Sequence, residues 1–190
     1  QRTRTRDTEN LTAWELVQRA RALNLPVNRD AIEEALQLAG RAVQADPSYA
    51  GAHASLASIY MQRVISGFSK DVYQDRQAAI AAVTRAAELA PNDPAVLRTQ
   101  GKVWSNVGNN DRAVEALRRA VELAPFDFHS WGRLGRTLAY GGDEAGLEEG
   151  QAILDRILAS VPNHPMVPYW YYFKSNTASL QGRHEDAADF

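Results

Sequence analysis

The sequence predicts an all-α fold, a right-handed α-α superhelix of about four helix pairs plus a truncated fifth. Two observations predict it. The segment Ala-Ala-Glu-Leu-Ala-Pro ends at Pro91 and Ala-Val-Glu-Leu-Ala-Pro ends at Pro125, a step of 34 residues. A fixed period of roughly 20 to 50 residues is typical of stacked repeats. Apolar residues also recur at helical spacing on both sides of each turn.

Each repeat closes with a proline that follows an apolar helical pattern. The prolines are Pro47, Pro91, Pro125 and Pro162, at intervals of 44, 34 and 37 residues. Proline stops a helix because it lacks an N–H and disfavours helix in the residue before it. We therefore expect a polar linker at 1–10 and a solenoid at 11–190, with repeats at 11–47, 48–91, 92–125, 126–162 and a truncated 163–190.

The unit between Pro91 and Pro125 shows the pattern of one helix pair. Leu97, Gly101 and Trp104 recur on a first helix, and residues 108–110 (Gly-Asn-Asn) break the chain. The second helix carries the apolar positions Ala113, Leu117 and Ala120. The small residues let two antiparallel helices approach closely, and the large ones fill the seam.

These residues resemble the tetratricopeptide repeat, whose pattern is Trp, Leu-Gly, Tyr, then Ala, Phe and Pro. The unit from 92 to 125 follows this pattern in register, and Gln100 departs from it where leucine is usual. Weaker matches in the other units include Trp14, Ala20, Leu56, Ala57, Tyr60, Trp131, Leu134, Gly135, Gly182 and Ala187. The resemblance implies that the first helix of each pair lines a concave face, and that this face binds proteins or peptides.

A narrower resemblance begins at residues 10–21 (Asn-Leu-Thr-Ala-Trp-Glu-Leu-Val-Gln-Arg-Ala-Arg). This segment is similar to the start of the repeat region of some bacterial class III adenylate or guanylate cyclases. The aromatic helix at 168–173 is also similar, and related regions follow winged-helix transcriptional regulators. The resemblance implies a regulatory part of a larger signalling protein. Since the chain lacks an initiator Met and 184–190 reads as a helix start, we expect a piece of something longer.

Composition narrows the classes of function. The net charge of −2 gives no strong attraction to nucleic acid or anionic lipid, so we expect neither as a partner. The absence of cysteine excludes disulfides and thiolate metal sites and fits a cytoplasmic location. No apolar run approaches the roughly 20 residues needed to span a bilayer.

No catalytic pattern emerges, and we expect no enzyme activity, cofactor or metal in this chain. Residues 141–144 (Gly-Gly-Asp-Glu) resemble the diguanylate cyclase signature, but Ala145 stands where its phenylalanine belongs. We interpret this segment as a turn, with Asp143 capping the next helix. No two of the histidines lie three or four residues apart. No nucleophile elbow or phosphate loop occurs.

The candidate binding site is a polar stripe on the first helices. Arg98, Lys102 and Asn106 recur every four residues, and Arg136 and Tyr140 should lie near them on the next first helix. Such a strip could hold an acidic peptide, a C-terminal carboxylate or a domain of the same polypeptide. The alternative is an ordinary solvated helix face.

Two aromatic segments remain. The insertion at about 62–76 contains Phe68 and Tyr73, and we expect a long loop that packs back onto the preceding helices. The run at 169–173 (Tyr-Trp-Tyr-Tyr-Phe) is either a ligand platform or, as we expect, the seam of the last repeat.

Overall fold

The computed structural model describes residues 10–24, 28–141 and 143–180, with the side chains of 177–180 excepted. These residues form the α-helices α1 (Leu11–Leu23), α2 (Arg29–Ala45), α3 (Ala50–Ile65), α4 (Val72–Leu89), α5 (Pro94–Asn106), α6 (Asn110–Leu123), α7 (Phe128–Ala139), α8 (Glu144–Ser160) and α9 (Val167–Leu180). Residues 1–9 of the linker predicted at 1–10, and Gly142, Gly182 and Ala187, lie outside the described residues, whereas Asn10 is the N-cap of α1.

The helices stack as successive antiparallel pairs. Each odd-numbered helix from α1 to α7 packs most extensively on the even-numbered helix that follows it, and each even-numbered helix packs on the next odd one. The odd-numbered helices also contact one another in order, from α1 to α9. They therefore lie side by side along one face, and we call them the inner helices. We call α2, α4, α6 and α8 the outer helices.

Short polar side chains set the helix starts. A carboxylate or amide oxygen accepts from a backbone N–H in the first turn, and so satisfies one of the donors left free there. The capping residues are Asn10, Asn28, Asp71, Asp93, Asn109, Asp127 and Asp143. The Asp143 cap, whose Oδ1 lies 2.6 Å from the Gly146 nitrogen, supports the turn interpretation of residues 141–144.

Small residues bring the two helices of a pair together. A Cβ added at Gly101 would lie 2.6 Å from Leu117 Cδ2, so α6 presses its leucine directly against the α5 backbone. Ala113 and Ala120 are fully buried in the same seam. The seam predicted for the unit from 92 to 125 is thus present.

The 44-residue interval is absorbed mostly by helix, which corrects the expected long loop. α3 runs to Ile65 and α4 begins at Val72, so only 66–71 is left as a turn. Phe68 packs back against the apolar core formed by α1, α2 and α3. The Arg29 guanidinium carbon lies 5.1 Å from its ring centroid. Tyr73 is exposed instead. Arg63 fastens the lengthened pair by contacting the buried Asp75 carboxylate.

Candidate functional site

Arg98 joins the third repeat to the fourth. Its guanidinium is ion-paired with Asp127, the N-cap of α7. Asp127 also accepts from the Ser130 hydroxyl at 2.7 Å. Burial works against ionisation of Asp127, but the Arg98 charge and these hydrogen bonds outweigh it, so the pKa of this carboxyl lies below its usual range. The first member of the predicted stripe therefore holds two repeats together.

Lys102 lies between inner helices instead of on an open surface. Its side chain is 8 % exposed, and Nζ donates to the Ser58 carbonyl oxygen at 2.9 Å, to Ser58 Oγ at 3.1 Å and to Gln62 Oε1 at 3.2 Å. All three acceptors are neutral. Burial, with a smaller contribution from the Arg133 charge, lowers the pKa of Lys102 to about 7. Periodicity placed Lys102 on the inner side of α5, and the packing of α3 against α5 covers it.

Asn106, the last residue of the predicted stripe, forms a side-chain hydrogen bond to the backbone of its own helix. Its Nδ2 donates to the Lys102 carbonyl oxygen at 2.8 Å, near the C-terminus of α5. One amide hydrogen is thus engaged within the helix. Arg98, Lys102 and Asn106 lie on α5 at helical spacing, but their three side chains face different surroundings.

Arg136 and Tyr140 lie together at the end of α7. The Arg136 guanidinium carbon is 5.8 Å from the Tyr140 ring centroid and 5.1 Å from that of Phe173 in α9. Cations over aromatic faces are attracted by the ring quadrupole. Burial raises the pKa of Tyr140, against a hydrogen bond with Asn176 that lowers it. The Arg136 guanidinium therefore lies over the rings of Tyr140 and Phe173.

Arg133 is the member of this site that the sequence reading missed. It lies on α7 one turn before Arg136, and burial, followed by repulsion from Arg136 and Arg98, lowers its pKa to about 10. Burial and the Arg98 charge also lower the pKa of His129, which precedes it by one turn. The charges of Arg98 on α5 and Arg136 on α7 thus both disfavour further positive charge on Arg133.

Four of the inner helices carry positive charge without acids of their own. No Asp or Glu occurs on α3, α5, α7 or α9. Their Arg and Lys residues are Arg63, Arg98, Lys102, Arg133, Arg136 and Lys174. Within the described part of the chain, Arg63, Arg98 and Lys174 pair with carboxylates from outer helices or turns. Lys102, Arg133 and Arg136 have no such pair there. The acids lie mostly on the outer helices, and this distribution was the sequence signal for the site.

The aromatic run of α9 has one buried ring and several exposed ones. Trp170 is buried and stacks on His164, with ring centroids 4.9 Å apart. A Cβ at Gly132 would collide with the Trp170 indole, so Trp170 fills the seam against α7. Tyr169 and Tyr172 are exposed beside it. Trp170 thus belongs to the seam, as expected, whereas most of the other rings of the run lie at the surface.

The described residues were also compared with the requirements of a metal site and of a membrane span. Within them, no group of three or more His, Asp or Glu side chains is arranged to hold a metal ion. Searching the same residues for membrane spans finds no helix that combines the required length and apolarity. That the chain is not an enzyme stays a prediction.

Comparisons with known proteins give the fold. No protein-family model matches the sequence, and no curated protein matches it significantly. Among solved structures, TTC0263, a thermophilic TPR protein of Thermus thermophilus, is 19% identical, with a TM-score of 0.69 over 90% of this chain and 82% of that one. YrrB, a TPR protein with an unusual peptide-binding site, is 21% identical, with a TM-score of 0.57 over 93% and 81%.

A third structure has a different role. Acl4, an assembly chaperone of RpL4, is 21% identical, with a TM-score of 0.51 over 94% of this chain and 62% of that one. At such identities the likeness extends to the fold alone, and it agrees with the stacked pairs described above. The chain therefore has the all-α superhelical fold of tetratricopeptide-repeat proteins.

Proposed function

We propose that this chain is a protein-interaction scaffold whose concave face holds an acidic peptide or an acidic segment of a neighbouring domain. The observation that carries the proposal is the charge of the inner helices from α3 to α9, where Arg and Lys occur and Asp and Glu do not. In a solenoid of this type the inner helices form an extended concave surface. Carboxylates meeting such a surface gain charge-assisted hydrogen bonds.

The proposed site comprises Arg98, Lys102, Asn106, Arg136 and Tyr140 from the sequence, together with Arg133. Arg133 and Arg136 supply the main attraction, because no carboxylate of the described residues neutralises them. Tyr140 adds a hydroxyl beside Arg136. Lys102 lies beneath the surface on neutral oxygens, and because its pKa is about 7 the amine carries only part of a charge near neutral pH.

The solved relatives support a polypeptide ligand. YrrB has a peptide-binding site and Acl4 is the assembly chaperone of another protein. Neither resemblance identifies the ligand of this chain, so the acidic character rests on the charges described above. An extended peptide also suits a face built from parallel rows of helices.

The experiment measures the affinity of two fluorescein-labelled peptides by fluorescence anisotropy. One alternates Glu and Gly, and the other alternates Lys and Gly. We expect only the Glu peptide to bind, and we expect Arg133→Glu with Arg136→Glu to weaken it about tenfold or more, equivalent to about 1.4 kcal/mol.

The matched control reverses two outer-helix charges, Arg41→Glu with Arg85→Glu. It changes the net charge equally and should leave the affinity within about twofold, because screening weakens exposed charges beyond about 10 Å. Equal loss in both double variants would reduce the effect to net charge and reject the concave site.

A domain of the same polypeptide is the second source of an acidic segment. Its support is the resemblance of 10–21 to the repeat regions of cyclases and related regulators. The reading frame that encodes this chain tests it. A cyclase domain ahead of Gln1 would favour regulation of an enzyme, and a winged helix there would favour a transcriptional regulator.

A further inference from the structure

A pocket of about 520 Å³ lies at the junction of the third and fourth repeats, and none of the residues of the proposed concave site lines it. Its lining comes from the turn that follows α6, from the start of α7 and from α8. It includes Phe126 of the turn, Phe128 and Trp131 of α7, and Ala152, Ile153 and Arg156 of α8. Trp131 is fixed by an indole hydrogen bond of 2.9 Å to the Pro125 carbonyl oxygen. An apolar pocket of this size with a few polar groups is typical of a binding site.

The first departure from the repeat pattern at this pocket is Phe126. The residue after each repeat's proline is Ser48, Asn92 or Asn163 in the other repeats. Phe126 stands at this position in the third repeat and is 88 % exposed. A turn position that is polar elsewhere gains nothing for folding from an exposed ring. Phe126 instead extends the apolar wall of the pocket.

The second feature is the Arg156 guanidinium, which, like that of Arg41 at the same position of the first repeat, has no ion pair among the described residues. Its equivalents in the two preceding repeats, six residues before each proline, are Arg85 and Arg119. Each pairs with a glutamate three residues on, Glu88 at 2.9 Å and Glu122 at 3.0 Å. In the fourth repeat that residue is Ala159. No hydrogen bond or ion pair to the Arg156 guanidinium forms among the described residues. The Arg156 guanidinium therefore lies at the same pocket as Phe126 and has no partner among the described residues.

The other charged residue that lines the pocket, Glu149, already has an ion-pair partner. Glu149 lines the pocket, and its carboxylate is paired with Arg118 of α6 at 2.7 Å. The unpaired charge at this site is thus positive. A ligand that fits must bury an apolar group and supply a negative one.

We infer that this pocket binds a partner-protein segment that inserts an aromatic side chain and presents a neighbouring carboxylate to Arg156. The rings of Phe126, Phe128 and Trp131 offer edge and face contacts to an inserted ring. The carboxylate takes the place of the glutamate that the two preceding repeats provide. This site is separate from the proposed concave site.

The test uses N-acetyl-Trp-Glu-amide as the probe and the Trp131 indole N–H as the reporter, in two-dimensional ¹H–¹⁵N spectra. We expect a saturable shift of this signal. N-acetyl-Trp-Lys-amide and N-acetyl-Ala-Glu-amide should each bind about fivefold or more weakly. Ala152→Trp, which fills the pocket, should abolish the shift, and Ala81→Trp, the matched change at the equivalent exposed position of α4, should retain it.

A second variant isolates the charge without touching the apolar walls. Ala159→Glu restores the pairing seen in the two preceding repeats and should weaken the Trp-Glu probe about as much as Arg156→Glu does. Arg133→Glu with Arg136→Glu should leave the probe's affinity unchanged, which separates this inference from the concave site. Absence of a shift at millimolar probe, or equal binding to the Ala152→Trp variant, would overturn the pocket. Unaltered binding to Ala159→Glu would overturn the role of Arg156.

Discussion

Lys102 of α5 donates a hydrogen bond of 2.9 Å to the carbonyl oxygen of Ser58 in α3, its equivalent one repeat earlier. Both residues stand eleven positions after the proline that closes the preceding repeat, Pro91 and Pro47. The bond joins two inner helices directly, and it places an amine where water is largely excluded. Several of the expectations below concern charges held in this way between repeats.

The stability of the protein should depend on pH through Lys102. Its pKa is about 7 in the folded chain against 10.5 ordinarily, so between these values the unfolded chain binds more protons. The free energy of unfolding therefore rises with pH in that window. We expect Lys102→Met to be the more stable form at pH 7, and its advantage to shrink by up to about 1.4 kcal/mol per pH unit toward pH 9.

Urea denaturation at a series of pH values measures this difference, and Lys70→Met, at an exposed position, is the control. Parallel curves for wild type and the Lys102→Met variant would show that the folded chain does not hold the amine at a lowered pKa.

The Arg98–Asp127 ion pair should be coupled to the cap of α7. Asp127→Ala removes both the pair and the oxygen that accepts from the His129 nitrogen at 3.2 Å. We expect a loss of about 2 kcal/mol, most of it from the cap. A double-mutant cycle with Arg98→Ala should give a coupling of about 1 kcal/mol. A coupling near zero would mean that the two side chains act independently.

Two glycines should respond oppositely to alanine. A Cβ at Gly150 of α8 would overlap the Gly135 carbonyl oxygen and lie 2.7 Å from the Ala139 nitrogen, whereas one at Gly40 of α2 meets nothing within 4 Å. Gly40→Ala should stabilise the chain by about 0.5–1 kcal/mol through helix propensity. Gly150→Ala should cost about 1–3 kcal/mol, because α7 and α8 must separate. Thermal unfolding followed by circular dichroism would distinguish the two signs.

Arg63 should be essential to the lengthened second pair. It contacts Glu33 of α2 at 3.0 Å and also the Asp75 carboxylate, which is 4 % exposed. Burial raises the pKa of Asp75, but the Arg63 and Ser69 hydrogen bonds outweigh it, so the carboxyl stays ionised near neutral pH. Arg63→Met leaves that charge uncompensated and should cost about 3 kcal/mol.

The double variant Arg63→Met with Asp75→Met tests whether the uncompensated Asp75 charge causes this loss of stability. It should be more stable than Arg63→Met alone, because the buried charge is removed together with its partner. A double variant as unstable as the single one would assign the loss to packing instead.

The fold was predictable because its signals are local and repeated. The 34-residue step, the small residues at Gly101, Ala113 and Ala120, and the prolines each follow from constraints within a single helix pair. The insertion was harder, because extra residues can lengthen helices as well as a loop. Here the ion pair of Arg63 and Asp75 stabilises the lengthened helices. The two residues are twelve positions apart in sequence and meet only in the folded chain.

The candidate site was predictable only in part. Helical spacing gives the direction of a side chain on its own helix, so Arg98, Lys102 and Asn106 share a side of α5. It does not show what the adjacent helix covers, and α3 covers Lys102. Arg133 is not part of the predicted stripe because helical spacing relates residues of one helix only. Comparing the acids of inner and outer helices would have revealed it.

The separation of charge between the two layers also affects how a partner arrives. An overall charge of −2 gives no strong general attraction. The inner helices are positive and the outer helices carry more acids than arginines, so the molecule has an electrostatic polarity that acts on an approaching anion before contact. Such fields raise encounter rates and orient the incoming molecule, and salt weakens them steeply. Ionic strength should therefore change how fast an acidic partner associates with this chain far more than how long it stays.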